Sequence, residues 1–365
     1  MEGTRQRAQS CLKRTSEQLS EPFHLPPPPP MKPLVLIPVV IQIIALSAAQ
    51  PLKISFPTDN KALIDGQLED FYMWVPRVFE DQSSRPWTAG QYGFVRTLTR
   101  TTSEGVIATK FHEGLDIKPL KRDRRFNPLD EVRAIADGKV VYINRARGGS
   151  TYGIYIVVEH DWDCGLFYSL YAHLASVSVE TGQQVTSETP LAIMGYTGAG
   201  LNQERAHLHL ELCMLSSKSF NRWLGAKSPH GVYDGRNLIG LDLASLFVAT
   251  QGGSKITIPR FLKSATPYFK IAIPRKHDLE IVKRYPWLAQ GDQKTESTSW
   301  ELSFTDSGIP IAVTPSHRKV SQATVTYVRT TRSKHEYYTR NRLTGTGRQA
   351  SLTSSGRRFI QLLSY

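Results

Sequence analysis

Residues 154–174 read IYIVVEHDWDCGLFYSLYAHL. Two runs rich in β-branched and aromatic residues, Ile154 to Glu159 and Leu166 to Ala172, lie on either side of the polar segment HDWDCG. Apolar runs separated by a short polar segment are typical of a β-hairpin. We therefore predict two paired strands here, with His160 in the turn between them.

Strand-like segments continue on both sides of this hairpin. VRAIADGKVVYI at 132–143 is rich in β-branched residues around a turn at Asp137-Gly138, and 191–194 and 207–213 are further apolar runs. No segment of residues 50–250 has a long helical period. The prediction is a mainly β fold built on an antiparallel β-sheet.

The positive charge of the chain is concentrated in its last third. The net charge is +13, and residues 251–365 contain 19 Lys and Arg against 7 Asp and Glu, or +12. Residues 50–250 contain 21 basic and 22 acidic residues, or −1. The change coincides with Gly252-Gly253-Ser254, a linker-like sequence. We predict one domain at 50–250 and a small basic C-terminal domain at 251–365.

The C-terminal segment mixes two kinds of pattern. A possible helix at 278–284 is followed by strand-like runs at 309–313 and 324–328, which favours a small α+β domain. Six aromatic residues are interleaved with Lys and Arg and could stack on sugars or bases, or belong to the core: Tyr285, Trp287, Trp300, Tyr327, Tyr337 and Tyr338.

The first 49 residues contain the pattern of an export signal. Residues 31–50 read MKPLVLIPVVIQIIALSAAQ, with a lysine, an apolar run from Leu34 to Leu46, and small residues ending at Ala49. This order predicts a secretory signal peptide at 31–49, too short to span a bilayer, with translation starting at Met31. The alternative is a core segment or an uncleaved anchor. We expect a protein exported to the periplasm, cell envelope or medium, with no transmembrane span after cleavage.

Export determines which partners the basic region can meet. The accessible polyanions are wall polymers, anionic lipid headgroups and extracellular nucleic acid. We expect residues 251–365 to bind anionic envelope polymers rather than nucleic acid, or else only to keep the surface solvated. Export also permits disulfides, and the sequence leaves open whether Cys164 and Cys213 pair.

Histidine and carboxylate residues recur in three short motifs. These are HEGLD at 112–116, YAHL at 171–174 and HLHLE at 207–211. Histidine and carboxylate are ordinary zinc ligands at hydrolytic sites. Two histidines at alternate positions of a strand project from one face, roughly 6.6 Å apart along the chain. Both could therefore bind one ion, or one could bind it while the other faces substrate.

His112 and Asp116 set a geometric condition on a shared metal ion. On a straight strand they would lie about 13 Å apart along the chain, which ligand bonds of about 2 Å do not span. If both bind one ion, the chain must bend between them. Gly114 is the residue that could permit the bend.

Taken together, these segments resemble the lysostaphin-type, or LytM-type, zinc endopeptidases that cleave peptidoglycan cross-bridges. The resemblance covers roughly residues 90–215. It rests on GQYGFVR at 90–96, FHEGLDI at 111–117, VRAIADGKVVYI at 132–143, IVVEHDWDCGLFYSLYAHL at 156–174, GQQV at 182–185, IMGYTGAG at 193–200 and AHLHLEL at 206–212.

The resemblance implies roles for five residues. His112, Asp116 and His209 would be the zinc ligands, with a fourth position left for water. His173 and His207 would be catalytic histidines outside the ligand set. Zinc would polarise the scissile carbonyl and activate water, while these histidines move protons and stabilise the developing oxyanion.

Two glutamates and one arginine near the motifs need separate expectations. Glu113 is not the base of an HExxH motif, so it should face solvent or lie beside a ligand. Glu211 shares the strand face of His209 and either orients that ligand or forms a cross-strand salt bridge. Glu204-Arg205-Ala206 stands where the family usually has Gly and a small residue, and SETP follows GQQV where a second glycine is common. Both departures concern substrate preference.

The sequence thus predicts a secreted zinc metalloendopeptidase that hydrolyses peptide bonds in peptidoglycan cross-bridges. The alternative is a catalytically silent LytM-like envelope scaffold or hydrolase activator with a polyanion-binding tail. Whether residues 50–90 occlude the cleft stays open. Five other histidines are not expected to bind metal, and the two cysteines should lie about 20–30 Å from it; the histidines are His160, His230, His277, His317 and His335.

Overall fold

The computed structural model describes residues 50–365. The leader at 1–49, with its predicted signal peptide and the start at Met31, lies outside the described residues. Within them, no helix combines the length and the apolar character that crossing a lipid bilayer requires.

The region up to residue 251 is built mainly from strands. Its strands in chain order are β1 (Arg77–Phe79), β2 (Gln82–Ser84), β3 (Gly93–Thr101), β4 (Gly105–His112), β5 (Leu115–Ile117), β6 (Glu131–Arg133), β7 (Gly138–Asn144), β8 (Tyr155–Trp162), β9 (Gly165–Ala172), β10 (Leu174–Val177), β11 (Gln184–Val185), β12 (Pro190–Met194), β13 (Leu208–Leu215) and β14 (Leu238–Gly240). Its helices are α1 (Leu68–Phe71), α2 (Phe220–Leu224) and α3 (Leu243–Gln251).

The central sheet has the strand order β11-β7-β8-β9-β13-β14, and β5 also pairs with β13. Every one of these pairs is antiparallel, which confirms the predicted fold class. The predicted hairpin is β8–β9, and its register runs from Ile156 opposite Tyr171 to Trp162 opposite Gly165. The smaller sheets β10-β12-β6 and β3-β4 flank it.

Strand β13 is buried along its whole length because both faces of the sheet are covered. Leu208, Leu210 and Leu212 point into the larger hydrophobic core, while Cys213 and Leu215 belong to a second cluster on the other face. Successive side chains of a strand point to opposite faces. The second face is therefore also the one that carries His207, His209 and Glu211.

The C-terminal part combines a small sheet with helices, at positions that overlap the predicted helix and strands. Its sheet has the order β17-β16-β15-β18, all antiparallel. The strands are β15 (Phe269–Pro274), β16 (Ser299–Phe304), β17 (Pro310–Ser316), β18 (Thr324–Val328), β19 (Thr331–Lys334), β20 (Leu343–Thr344), β21 (Thr346–Gly347) and β22 (Ser351–Leu352). The helices are α4 (Ile258–Lys263), α5 (Glu280–Arg284) and α6 (Ser354–Leu363).

The C-terminal part packs closely against the rest of the described chain, and residues 50–365 belong to one compact unit. The Tyr285 hydroxyl accepts a hydrogen bond from the Leu215 amide at 2.8 Å and donates to the Leu166 carbonyl at 2.8 Å. Tyr285 and Trp300 are buried, so these two aromatic residues belong to the core. The domain boundary at residue 251 stays a prediction.

His160 corrects one detail of the predicted hairpin. It lies on β8 rather than in the turn, which is formed by Asp163 and Cys164, and it is fully buried. Its Nδ1 donates to the Asp137 carbonyl at 2.8 Å, and its Nε2 lies 2.7 Å from the Ser169 hydroxyl. Burial lowers the pKa of His160 to about 4. The neutral ring is therefore part of the folded state.

We predict that His160 makes folding sensitive to acid. Its pKa is lower in the folded state than the ordinary 6.5, so the unfolded chain binds the extra proton as the pH falls from 6.5 towards 4. Stability that is present above pH 6.5 is lost across this window, by roughly 3 kcal/mol for this group. Urea unfolding at several pH values should show a shallower loss for His160→Gln than for the wild type. Parallel curves for the two proteins would contradict the prediction.

Candidate metal centre

The strand break between β4 and β5 brings His112 and Asp116 to one place. Strand β4 ends at His112 and pairs with β3, whereas β5 begins at Leu115 and pairs with β13. In that second pairing Asp116 lies directly opposite His209. The bend that the sequence requires is present, and it moves the two residues onto one side of β13.

Gly114 occupies the bend for reasons of space. A Cβ atom at this position would lie 2.6 Å from the Leu210 carbonyl oxygen and 2.9 Å from His209 Cε1. Real Cβ atoms essentially never approach other heavy atoms this closely. Gly114 does not have a positive φ angle. The absence of a side chain, rather than backbone freedom, is what the site needs here.

Three donor atoms converge at this point. His112 Nε2, Asp116 Oδ1 and His209 Nδ1 form a buried cluster, with separations of 3.2 Å between the two nitrogens, 2.9 Å from His209 to Asp116 and 3.2 Å from His112 to Asp116. Ligands of a tetrahedral ion with bonds of 2.0–2.1 Å lie about 3.3 Å apart. The three residues therefore form a candidate metal site whose spacing fits zinc.

The hydrogen bonds at the outer side of each ring fix its tautomer. His112 Nδ1 donates to the Gln91 carbonyl at 2.8 Å, and His209 Nε2 donates to a Glu211 carboxylate oxygen at 2.7 Å. Because a carbonyl and a carboxylate only accept, these nitrogens carry the protons. In the neutral rings, the lone pairs of His112 Nε2 and His209 Nδ1 then face each other. Such a pair is favourable only with a proton or a cation between them.

His173 and His207 lie against this cluster, and each ring also donates from one nitrogen to a backbone carbonyl. His207 Nδ1 donates to the Arg205 carbonyl at 2.6 Å and its Nε2 lies 3.4 Å from Asp116 Oδ1. His173 Nδ1 donates to the Thr197 carbonyl at 2.9 Å. The ring centroids of His173 and His207 are 4.8 Å apart. The structure thus brings all five predicted residues together, four of them almost fully buried.

His173 has a strained backbone. Its φ angle is +64°, a left-handed conformation that is costly for a residue with a side chain. Its amide donates to the Tyr152 carbonyl at 2.9 Å, which holds it between strands β9 and β10. Strain of this kind is retained where the surrounding structure fixes it. Here it turns the imidazole towards His207.

Asp116 is held as a carboxylate by its neighbours. Burial alone would raise its pKa, but the charges and hydrogen bonds of His112 and His207 outweigh burial and hold the pKa well below its usual range. Arg96 donates to its second oxygen at 2.5 Å. Burial by itself would lower the pKa of His209. Its hydrogen bonds to Asp116 and Glu211 outweigh burial and raise the pKa of His209 to about 9. The cluster favours added positive charge.

Glu211 accepts from His209 on its own strand, and within residues 50–365 it pairs with no Lys or Arg, so the cross-strand salt bridge does not form. Its carboxylate also accepts from the Tyr152 hydroxyl at 2.8 Å, and the Cys213 thiol lies 3.3 Å from its other oxygen. The expected distance of Cys213 from the site was too long, because only three residues lie between it and His209 and its thiol contacts the carboxylate that accepts from His209. Among the described residues, Cys164 and Cys213 are free thiols.

Glu113 is not solvent-facing. It is partly buried and its carboxylate pairs with Arg340, from the C-terminal part of the chain. His230 contacts the Tyr142 hydroxyl at 3.0 Å and lies away from the metal donors. Sequence reasoning missed Gln91, Tyr152 and Thr197, which orient the site through hydrogen bonds. Gln91 and Thr197 stand in segments singled out from the sequence, GQYGFVR at 90–96 and IMGYTGAG at 193–200, whereas Tyr152 stands in none of them.

Comparison with known proteins identifies the region that contains the site. The family model of Peptidase family M23 matches residues 110–221, which include all five residues. Among curated proteins, the murein hydrolase activator EnvC of Escherichia coli strain K12 is 38% identical over 82 residues. That match covers 22% of this chain and 17% of the length of EnvC.

The solved structures that match this chain include two peptidases. A zinc-containing peptidase from Vibrio cholerae is 21% identical and the match covers 45% of this chain and 36% of that one, with a TM-score of 0.26. The catalytic domain of lysostaphin from Staphylococcus simulans is 18% identical, with 42% and 84% covered and a TM-score of 0.24.

We predict that Gly114→Ala disrupts the metal site through crowding. The new methyl group meets a backbone carbonyl of β13, which cannot move aside as a flexible side chain would. We expect a loss of about 1–3 kcal/mol in the free energy of unfolding and a fall of about tenfold or more in zinc affinity. Gly148→Ala is the matched control, since nothing lies within 4 Å of its added Cβ. Equal effects of the two substitutions would contradict the argument.

We predict that Glu211→Gln weakens metal binding without removing a donor atom. Loss of the carboxylate that accepts from His209 should reduce zinc affinity by about 10- to 100-fold in competition titrations with a chelating dye. Glu301→Gln serves as control, because this partly buried glutamate lies on β16 and accepts from Thr326 at 2.8 Å. An unchanged zinc affinity for Glu211→Gln would show that the carboxylate does not support the ligand.

Proposed function

Because residues 110–221 match the family model of Peptidase family M23, we propose that this chain is a zinc metalloendopeptidase. We further propose that it hydrolyses peptide bonds of peptidoglycan cross-bridges, in the periplasm, cell envelope or medium. Its zinc ligands are His112, Asp116 and His209. The residues that move protons are His173 and His207.

The observation that carries the proposal is the direction of the imidazole lone pairs. Each of the four rings donates from its outer nitrogen to a carbonyl or carboxylate, so that the inner nitrogen is the acceptor in the neutral ring. Three inner donor atoms have separations that suit one ion, and His173 and His207 stand beside them. A purely structural cluster of buried histidines would not need four rings with this shared orientation.

The chemistry divides between the ion and the chain. Held by His112, Asp116 and His209, zinc would polarise a carbonyl and would lower the pKa of water to about 7. Burial, followed by the charges of His207 and His209, lowers the pKa of His173 well below its usual range, so its Nε2 is unprotonated and can accept a proton. Once protonated, a ring in this pair can donate to the oxyanion and then to the leaving amine.

The proposal predicts different defects for a ligand and a proton carrier. His209→Ala should lose bound zinc and peptide release together. His173→Ala should keep its zinc but release peptides from purified sacculi at least about 100-fold more slowly, because proton transfer is lost. Zinc content is measured by elemental analysis and released muropeptides by chromatography. His277→Ala, a change at an exposed histidine in the C-terminal part, is the control.

Two outcomes would contradict the assignment. Peptide release that survives His209→Ala would exclude His209 as a necessary ligand. Stoichiometric zinc with no release from any type of cell wall would exclude the endopeptidase and favour a different role.

That second role is activation of other murein hydrolases, and two observations favour it. The sequence similarity to EnvC is to a murein hydrolase activator. In addition, His112, Asp116, His207 and His209 are each no more than 7% exposed, so little of the site is open to a peptide. An activator should stimulate a purified murein hydrolase, and His209→Ala should retain that stimulation provided that it folds.

A further inference from the structure

A basic groove lies apart from the metal donors, where the C-terminal segment meets residues 220–240. It has a volume of about 540 Å³, and four arginines, two serines and three apolar side chains line it. The polar lining residues are Arg236, Arg340, Arg342, Arg358, Ser354 and Ser355. We call it the arginine groove.

Two of the four arginines in the groove have no acidic partner. Arg236 pairs with Asp234 at 2.7 Å, and Arg340 pairs with Glu113. Across residues 50–365, neither Arg342 nor Arg358 has a carboxylate oxygen within 4.0 Å. The lining of the arginine groove therefore carries about two uncompensated positive charges.

Of these two arginines, Arg342 gives the stronger indication of a bound anion because it is buried. It is 8% exposed, its guanidinium lies 3.8 Å from the centre of the Phe359 ring, and one terminal nitrogen donates to the Ser307 carbonyl. In the part of the chain that is described, its Nε and other terminal nitrogen have no protein partner, and both reach solvent. Burial and the nearby Arg340 charge lower its pKa well below the usual range. A buried cation of this kind is costly unless an anion compensates it.

The start of helix α6 adds further donors to the same groove. Thr353 caps the helix by accepting from the Gly356 amide at 3.0 Å, and Ser354 and Ser355 begin its first turn. That turn contains no acidic residue. The free amides and the dipole at a helix N-terminus favour a bound anion.

We propose that the arginine groove binds the phosphate group of a phosphate ester. The donors come from several sides: guanidinium groups, serine hydroxyls and helix amides. A tetrahedral phosphate has more acceptor oxygens for such a set than a planar carboxylate has. Its charge of about −1.5 to −2 also matches the two unpaired arginines. This site does not depend on the proposed peptidase activity, and it gives the basic C-terminal region a defined anion contact.

The test compares two neighbouring arginines in the full-length protein. Arg358 lines the arginine groove, whereas Arg357 lies on the same helix and lines a different surface. Calorimetric titration with glycerol 3-phosphate should give saturable binding, and Arg358→Gln should weaken it about tenfold. Arg357→Gln should weaken it less than about twofold. Equal losses would show only general charge attraction and would overturn the site.

Three further ligands distinguish the source of the phosphate. Inorganic phosphate tests the bare anion, a glycerol phosphodiester tests a polymer linkage, and acetate tests a carboxylate. Binding of any phosphate species that depends on Arg358 supports the proposal. Acetate binding as tightly as phosphate, or no saturable binding of any phosphate species, would overturn it.

Arg342→Met provides a second readout that does not rely on the exposed arginine. Removing a buried uncompensated charge should leave the phosphate-free protein at least as stable as the wild type. Phosphate should raise the thermal unfolding temperature of the wild type and of Arg357→Gln, because a ligand of the folded state stabilises it. Arg342→Met should lose that increase. An equal increase in Arg342→Met would contradict the assigned role of Arg342.

Discussion

The metal centre depends on one contact, the pairing of the short strand β5 with β13. This pairing sets Asp116 opposite His209, and it is possible only because Gly114 leaves room for the Leu210 carbonyl. On the other side of β13, Ala172 is opposite His209, so that His173 follows at the end of its strand. Two backbone registers therefore place the candidate ligands and the neighbouring histidine before any side chain is oriented.

The side chains then complete the centre through charge. Asp116 supplies a buried carboxylate, and Arg96 and the histidines around it keep it ionised. His209 lies between Asp116 and Glu211, and this explains why its pKa rises despite burial. A site that attracts a proton so strongly without an ion is suited to a divalent cation, which supplies the same compensation with fixed geometry.

The sequence predicts those features of the site that depend on the spacing and type of neighbouring residues. Alternation along β13, the turn between β8 and β9 and the need for a bend near Gly114 are properties of spacing and residue type. The hydrogen bonds that orient the candidate ligands do not follow from spacing or residue type. Gln91 accepts from His112 through its backbone carbonyl, and Tyr152 donates from a loop to Glu211 on β13. His160 was predicted to lie in the turn, but strand β8 continues through the polar residues His160 and Asp161 and ends at Trp162.

The charge of a sequence segment does not show which of its basic residues are available to an external partner, because that depends on their contacts in the folded protein. The basic C-terminal region was expected to present its charge to an external partner. Three of its arginines make contacts within the fold: Arg284 donates to the Ser216 carbonyl, Arg340 pairs with Glu113, and Arg342 is buried. Binding of an external polyanion by the other basic residues of this region stays a prediction.

The Arg340 contact ties the C-terminal segment to the metal centre, because Glu113 is the residue that follows His112. Removing residues 251–365 would leave this partly buried carboxylate without its cation, beside a metal ligand. The two parts of the chain therefore have to be studied together, and a fragment that begins at residue 251 would test neither in its native surroundings.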